Sequence, residues 1–206
     1  WNAYRNQLSL KPNWTEGENG TLTKLDLNTQ RILSKLADPD GPPMGRKGMV
    51  VGNVQSGKTA NYIGLISKAA DAGYNVIVVL AGILDDLRIQ TQIRIEEGFI
   101  GKNGCTQELV GVGKVDKKLM ENNKFALTTR ESDFKTKTVK AFGAALNFLS
   151  FKDTYIFVIK KNTTILKNLN KWLSAELKNN SITKANGSLL LIDDEADNAS
   201  INTKAG

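Results

Sequence analysis

The stretch GNVQSGKT, residues 52–59, matches the pattern G-x-x-x-x-G-K-[ST] at every fixed position. This pattern describes a loop that wraps a polyphosphate with backbone N–H groups. Gly52 and Gly57 leave the backbone room to approach the phosphates. The apolar run KGMVVG, residues 47–52, precedes the loop, and a helix-like pattern, residues 58–73, follows it. The sequence therefore predicts a strand, a phosphate-binding P-loop and a helix in succession.

The start of the predicted helix supplies the groups that hold a nucleotide. Its unpaired N–H groups and the positive end of its dipole point at the phosphates. Lys58 is predicted to reach the β- and γ-phosphates as a catalytic residue, and the Thr59 hydroxyl is predicted to bind magnesium. ATP and magnesium are the cofactors that this motif implies. The predicted nucleotide-binding residues are Gly52, Gln55, Ser56, Gly57, Lys58 and Thr59.

An acidic cluster follows the apolar residues of LLLIDDEADNAS, residues 189–200. Carboxylates so close together repel one another unless a cation lies opposite them. Magnesium bound to a nucleotide takes carboxylate oxygens, and in P-loop NTPases these come from the end of a neighbouring strand. Asp194 is the predicted magnesium ligand, with Asp193 as the alternative if the register shifts by one. Glu195 is predicted to orient and deprotonate the attacking water, and Asp197 to bond within the protein.

Strand-like and helix-like patterns alternate along the rest of the chain. The predicted strands are continuous apolar runs, which is typical of a parallel sheet covered by helices on both faces. We therefore expect an α/β fold, specifically a RecA-like P-loop NTPase lobe. Residues 1–40 are expected to form an N-terminal helical extension with a short helix at residues 26–35, and residues 41–206 the NTPase domain. Further strands are predicted at residues 74–82, 124–129, 154–160 and 188–193, and further helices at residues 84–98, around Val139 to Leu149, and after residue 160.

Composition narrows the possible chemistry and suggests a partner. The 206 residues include no histidine and one cysteine, Cys105, which excludes a Ser-His-Asp triad, His-ligated zinc and an internal disulfide within this chain. A reducing cytoplasm is the expected location. No apolar run is long enough to span a bilayer, so no membrane association is expected. The net charge is +7, and residues 102–178 hold 15 Lys and Arg against seven Asp and Glu, which indicates a polyanionic partner. We expect the chain to be part of a longer protein.

Two stretches closely resemble the Z-one domain, a family of endonucleases and helicase-like ATPases of bacterial restriction and defence loci. They are GMVVGNVQSGKTANYIGLISKAADAGYNVIVVLAGILDDLRIQTQIR, which begins at Gly48, and LLLIDDEADNAS. The resemblance runs from about Gly48 to Asn202. In addition, Asp194 to Asp197 spell the motif II tetrad of superfamily 2 helicases.

The resemblance implies the first motor lobe of a DNA translocase, which couples ATP hydrolysis to movement on DNA. The implied partners are DNA, a second RecA-like lobe and proteins of a defence locus. Motifs Ia and Ib would fall after two predicted strands, at the sheet edge where open α/β folds bind ligands. Asp85 and Asp86 depart from this expectation, because they place negative charge near the first of these motifs. The implied nucleic-acid contacts are Arg88, Gln90, Lys160, Asn162 and Thr163.

The resemblance also implies that a second lobe supplies the arginine finger. Beyond the P-loop the chain has three arginines, Arg88, Arg94 and Arg130, and no motif directs any of them toward the γ-phosphate. An arginine finger contributes about 10³ to 10⁵ to the rate. The chain alone is therefore expected to bind ATP but to hydrolyse it slowly.

Other interpretations remain open from the sequence. One alternative is an NTP-driven switch or assembly ATPase that never moves on nucleic acid, and another is a small-molecule phosphotransferase. Glu176-Leu177-Lys178 has the E-x-K form of some nuclease centres, but the pattern predicts a helix there, so any nuclease centre is expected outside this chain. Gln30 is a candidate for reading adenine, and the alternative is a surface position without a role.

Overall fold

The computed structural model describes residues 1–42, 44–51, 57–115, 124–135, 153–179, 187–194 and 196, with side chains omitted at 176–179. Within these residues the helices are α1 (Asn2–Ser9), α2 (Thr21–Leu33), α3 (Lys58–Asp71), α4 (Asp85–Ile95), α5 (Val112–Val115) and α6 (Thr163–Asn179). The strands are β1 (Val76–Ala81), β2 (Lys124–Ala126), β3 (Thr154–Ile159) and β4 (Leu189–Asp194). A π-helical turn, Glu96–Ile100, continues α4. No helix in this described part has the length and apolar character needed to cross a bilayer.

The strands form one four-stranded parallel sheet in the order β2-β3-β1-β4. Val76 of β1 is level with Tyr155 on one side and with Leu189 on the other. The central strands β1 and β3 are buried along their whole length, which is why every residue in them except Thr154 is hydrophobic. The predicted α/β class and parallel sheet are confirmed.

Helices cover both faces of the sheet, as predicted. On one face α1, α2 and α3 pack around a core that includes Ile66, Ile77 and Phe99. On the other face α6 packs Leu169 and Trp172 against the strands. The helices of the predicted N-terminal extension therefore share the core of the first face with the sheet. The boundary near residue 40 stays a prediction.

Helix α3 packs into the core of the first face. Its Ile63 and Ile66 are buried, as the sequence pattern predicts. Gly73 ends the helix with a φ of +100°, and the N–H groups of Gly73 and Tyr74 donate to the carbonyls of Ala70 and Ala69. This arrangement is a Schellman motif, which favours glycine because other residues are strained at positive φ. The ends of α3 are therefore set by Gly57 and Gly73.

Three expectations differ from the structure in its described residues. Residues 47–51 form no strand there, and Met49 and Val51 are 84% and 83% exposed, so the strand predicted at residues 47–52 is wrong in this part. An apolar run becomes a strand only where a neighbour supplies hydrogen bonds, and no described strand pairs with this one. Helix α1 was not predicted, and α2 begins at Thr21 rather than at residue 26. The helix predicted around Val139 to Leu149 lies outside the described residues.

Candidate functional site

The start of α3 agrees with one part of the predicted P-loop, the glycine that leads into a helix. Gly57 lies immediately before the helix with a φ of +77°, a conformation that other residues adopt only with strain. Lys58 is exposed at the first position of the helix. The four N–H groups that begin a helix have no intrahelical partners, so this end presents donors and partial positive charge. Gly52, Gln55 and Ser56 lie outside the described residues.

The two aspartates that end β4 lie on opposite faces of the sheet. Asp193 is level with Leu80, and its carboxylate oxygen Oδ1 lies 2.6 Å from Nζ of Lys161, whose side chain is 6% exposed. Asp194 is level with Ala81. Because side chains alternate along a strand, Asp194 lies on the same face as Leu190, which packs in the core under α3. Asp194 is thus on the face that carries α3, whereas Asp193 is ion-paired on the other face. Glu195 and Asp197 lie outside the described residues.

Thr59 and Tyr62 bring the start of α3 together with the end of β4 and with α4. The Arg94 guanidinium on the last turn of α4 donates a hydrogen bond of 3.1 Å from Nη1 to the Thr59 hydroxyl. Tyr62 lies one turn into α3 and is 8% exposed. Burial raises the pKa of Tyr62, and the nearby charge of Asp194 raises it further, whereas Thr59, Thr91 and Arg94 act in the opposite direction.

The side chains at this edge fit a magnesium ion that is bound together with a nucleotide. Magnesium usually keeps waters and takes one or two carboxylates, with phosphate oxygens completing the set. The Thr59 hydroxyl and the Asp194 carboxylate supply that chemistry. Among the residues that the structure describes, no three Cys, Asp or Glu side chains form a metal-binding group of their own. A site of this kind therefore depends on phosphates for the remaining ligands.

Arg88 differs from the other predicted nucleic-acid residues because it is buried. Its side chain is 1% exposed. Its Nε donates to Oδ1 of Asp85, and its two Nη atoms donate to the carbonyls of Thr129 and Arg130, each at 2.8 Å. The Arg88 guanidinium can contact an external phosphate only if these bonds break. The geometry thus gives Arg88 three internal partners, and its role as a DNA contact stays a prediction.

Of the other predicted nucleic-acid residues, Lys160, Asn162 and Thr163 lie on the loop and helix start that follow β3, and Gln90 lies in the middle of α4. Gln90 and Thr163 are exposed. Asn162 caps α6, because its side-chain oxygen accepts a hydrogen bond of 2.9 Å from the Thr164 N–H. Nζ of Lys160 lies 3.5 Å from Oδ1 of Asp85. Asp85 and Asp86, which departed from the motif expectation, form the first turn of α4, where acidic side chains are favoured.

Two carboxyl groups near this edge have shifted pKa values. The hydrogen bond from Arg88 holds the pKa of Asp85 below its usual range, despite some opposing effect of burial. Burial raises the pKa of Asp133, although the N–H groups of Phe134 and Lys160 act in the opposite direction. Arg88 lowers the pKa of both carboxyl groups, so its positive charge acts on the first turn of α4 and on the loop after β2.

A buried polar network below Arg88 fixes α4 to the loop after β2. Gln92 and Glu96 are completely buried, and Gln92 donates to the Thr128 carbonyl at 3.0 Å. The Thr128 hydroxyl donates back to the Gln92 side-chain oxygen at 2.9 Å. Arg130 donates from Nε to Oε2 of Glu96 at 2.7 Å. This network accounts for polar residues on the inner side of α4 that sequence patterning does not explain.

The sequence did not identify Arg94 or Tyr62 as site residues. Both lie outside the motif, and their proximity to Thr59 arises because α3 and α4 meet in the folded chain. The E-x-K residues 176–178 lie within α6, as the helical pattern predicts.

Comparisons with models of protein families, with curated proteins and with solved structures find no match to this chain.

Proposed function

We propose that this chain is a P-loop ATPase domain whose nucleotide site lies between the start of α3 and the end of β4. The observation that carries the proposal is the convergence of Thr59, Tyr62 and Asp194, which brings a P-loop helix and an acidic strand end to one edge of a parallel sheet. In this proposal Lys58 and the N–H groups of α3 hold the phosphates. Thr59 and Asp194 hold the magnesium ion, which neutralises charge on the phosphates.

The positions of the two aspartates favour Asp194 over Asp193 as the magnesium ligand. Asp194 is on the α3 face, and Asp193 has its carboxylate 2.6 Å from the Lys161 ammonium. The Lys161 ammonium already balances the charge of the Asp193 carboxylate, which weakens its attraction for a further cation. Asp193 is better assigned to holding β4 against the loop that follows β3.

We further propose that the ATPase is the motor lobe of a superfamily 2 helicase-like DNA translocase of a bacterial restriction or defence system. The tetrad from Asp194 to Asp197, the resemblance of residues 48–202 to the Z-one family and the basic segment 102–178 support this proposal. The burial of Arg88 and the pairing of Lys160 with Asp85 favour a second candidate, an NTP-driven switch or assembly ATPase. In that case the loops at this edge would contact a protein.

Two measurements test these proposals in order. Calorimetric titration of the chain with ATP, in the presence and absence of magnesium, tests the nucleotide site. The proposed site would be contradicted if ATP did not bind, or if its binding did not depend on magnesium. ATP turnover with and without duplex DNA then separates the two functions, with the full-length protein used for this step. Stimulation by DNA supports the translocase, and turnover that is indifferent to DNA but changed by a protein partner supports the switch.

DNA binding by the translocase is expected to be salt-sensitive and indifferent to sequence, because lysines that neutralise phosphates release counterions. If about four phosphates are contacted, affinity for a duplex falls about 100-fold between 50 and 200 mM salt. Lys167 and Lys171 are exposed and one turn apart on α6, so replacing both with alanine should make the salt dependence less steep. Fluorescence anisotropy at several salt concentrations measures how the affinity for DNA depends on salt.

The matched control for this pair is the double substitution of Lys11 and Lys24 by alanine. Both side chains are exposed on the N-terminal helical region, and the change in net charge is the same. If both double substitutions changed the salt dependence equally, DNA binding would depend only on the overall charge of the chain. Affinity that is independent of salt, or that depends strongly on one short sequence, would contradict the prediction.

Glu195→Gln is expected to retain ATP binding and lose hydrolysis. The amide keeps the shape of the side chain but cannot accept the proton of the attacking water, and general bases contribute about 10² to 10⁴ to rates. Single-turnover hydrolysis with protein in excess detects rates that are too slow for steady-state assays. Glu97→Gln, at an exposed position on the π-helical turn, is the matched control. Unchanged hydrolysis in Glu195→Gln would reject the assignment of the base.

A further inference from the structure

Arg94 is the arginine that the fold brings to the proposed nucleotide site. Of the three arginines after the P-loop, Arg88 is bonded to three internal oxygen atoms and Arg130 is paired with the buried Glu96. Arg94 is exposed, and its one hydrogen bond within the described part of the chain goes to the Thr59 hydroxyl. A guanidinium has five N–H donors, so most of its capacity is unused there.

We propose that Arg94 binds the terminal phosphate of the nucleotide in the same chain and thereby distinguishes a triphosphate from a diphosphate. This inference rests on the proposed ATPase function, since it assigns a further residue to the same site. No motif in the sequence indicates this role. It follows from the contact between α3 and α4.

The position of Arg94 is suitable for a phosphate contact. Oxygen ligands of one magnesium ion are neighbours of one another, so a phosphate oxygen that shares an ion with the Thr59 hydroxyl lies beside that hydroxyl. Arg94 already contacts the Thr59 hydroxyl at 3.1 Å. Since the side chain is exposed, it can move from the hydroxyl to a phosphate oxygen without disturbing the core.

The net charge of a magnesium–nucleotide complex attracts the Arg94 guanidinium. The magnesium ion alone would repel the guanidinium, but a magnesium–triphosphate complex keeps a net negative charge, which is larger than that of the diphosphate complex. Guanidinium groups bind phosphates through paired, charge-assisted hydrogen bonds. Arg94 should therefore stabilise bound ATP more than bound ADP.

Tyr62 provides an independent sign that the site is incomplete without a ligand. Its hydroxyl is buried with the ring, and within the described residues it makes no hydrogen bond of acceptable geometry, although Thr59 and Thr91 lie near it. Buried polar groups in folded proteins nearly always have a hydrogen-bond partner, so the Tyr62 hydroxyl indicates that a partner is missing at this site.

The test compares ATP and ADP affinities of the wild type, Arg94→Ala and Arg94→Lys by calorimetry with magnesium present. For Arg94→Ala we expect ATP affinity to fall about 10- to 100-fold and ADP affinity to change by less than about threefold. Arg94→Lys should recover part of the loss, because it restores the charge but not the paired donors. Arg31→Ala, at an exposed position on α2, should bind both nucleotides as the wild type does.

The outcomes separate this inference from the proposed function. If the wild type binds no ATP, or if removing Lys58 leaves affinity unchanged, the ATPase proposal itself fails. If the wild type binds and depends on Lys58, equal losses of ATP and ADP in Arg94→Ala overturn the terminal-phosphate role. Unchanged affinity or tighter binding in Arg94→Ala overturns it as well. Circular dichroism and the thermal midpoint of each variant check that folding is unaltered.

Discussion

Lys58→Ala is expected to lower the affinity for magnesium–ATP about 10- to 100-fold. Lys58 is exposed at the first position of α3, where the helix dipole and unpaired N–H groups already favour anions. Its ammonium group adds a full charge opposite the terminal phosphates. A hydrogen bond to a charged group contributes about 1.5 to 3 kcal/mol, and 1.4 kcal/mol corresponds to about tenfold in affinity. Calorimetry with ATP and with ADP measures the loss, which should affect both nucleotides.

The matched control is Lys24→Ala, which removes the same charge from an exposed position on α2. It should leave both affinities within about twofold of the wild type, because exposed charges far from a site are screened by salt. A similar loss in both variants would mean that ATP is held by general electrostatic attraction. Unchanged affinity in Lys58→Ala would reject the P-loop as the phosphate site.

Arg88→Met is expected to destabilise the folded chain by about 3 kcal/mol or more. Methionine fills similar volume but leaves the carbonyls of Thr129 and Arg130 without their donors. It also leaves Asp85 without its closest cation in this network. Losing a partner of a buried polar group costs about 1 to 3 kcal/mol for each group. Because whole domains are stable by about 5 to 15 kcal/mol, the shift of the urea midpoint should be large.

Arg31→Met, at an exposed position on α2, is the matched control and should change stability by less than about 0.5 kcal/mol. The comparison also decides between the two roles of Arg88. A DNA contact predicts weaker DNA binding with unchanged stability, whereas the internal network predicts lower stability. If Arg88→Met does not fold at all while Arg31→Met folds normally, the outcome supports the role of Arg88 in the internal network.

The parallel sheet and its covering helices could be predicted because their signals are local. The run that became β1 is apolar throughout, and that of β3 is apolar after Thr154, as buried parallel strands favour. In α6 the spacing of Leu169 and Trp172 predicted the buried face. The strand predicted at residues 47–52 was wrong in its described part, because strand formation depends on a partner as well as on apolar residues.

The sequence by itself determined the chemistry available at the proposed site. The spacing of Gly57, Lys58 and Thr59 at the start of a helix, and the acidic residues that follow an apolar strand, are features of consecutive residues, so no fold is needed to see them. The absence of histidine and the basic excess of residues 102–178 are likewise properties of composition alone.

Only the tertiary structure decided which side chains share this edge of the sheet and which are committed elsewhere. Arg88 and Arg94 are six residues apart on one helix, yet one is buried in a network and the other contacts Thr59. Asp193 and Asp194 are adjacent, yet they lie on opposite faces. The physical reason is that strand alternation, helix rotation and burial act on each side chain through neighbours that are distant in sequence, so residue type alone does not determine its partner.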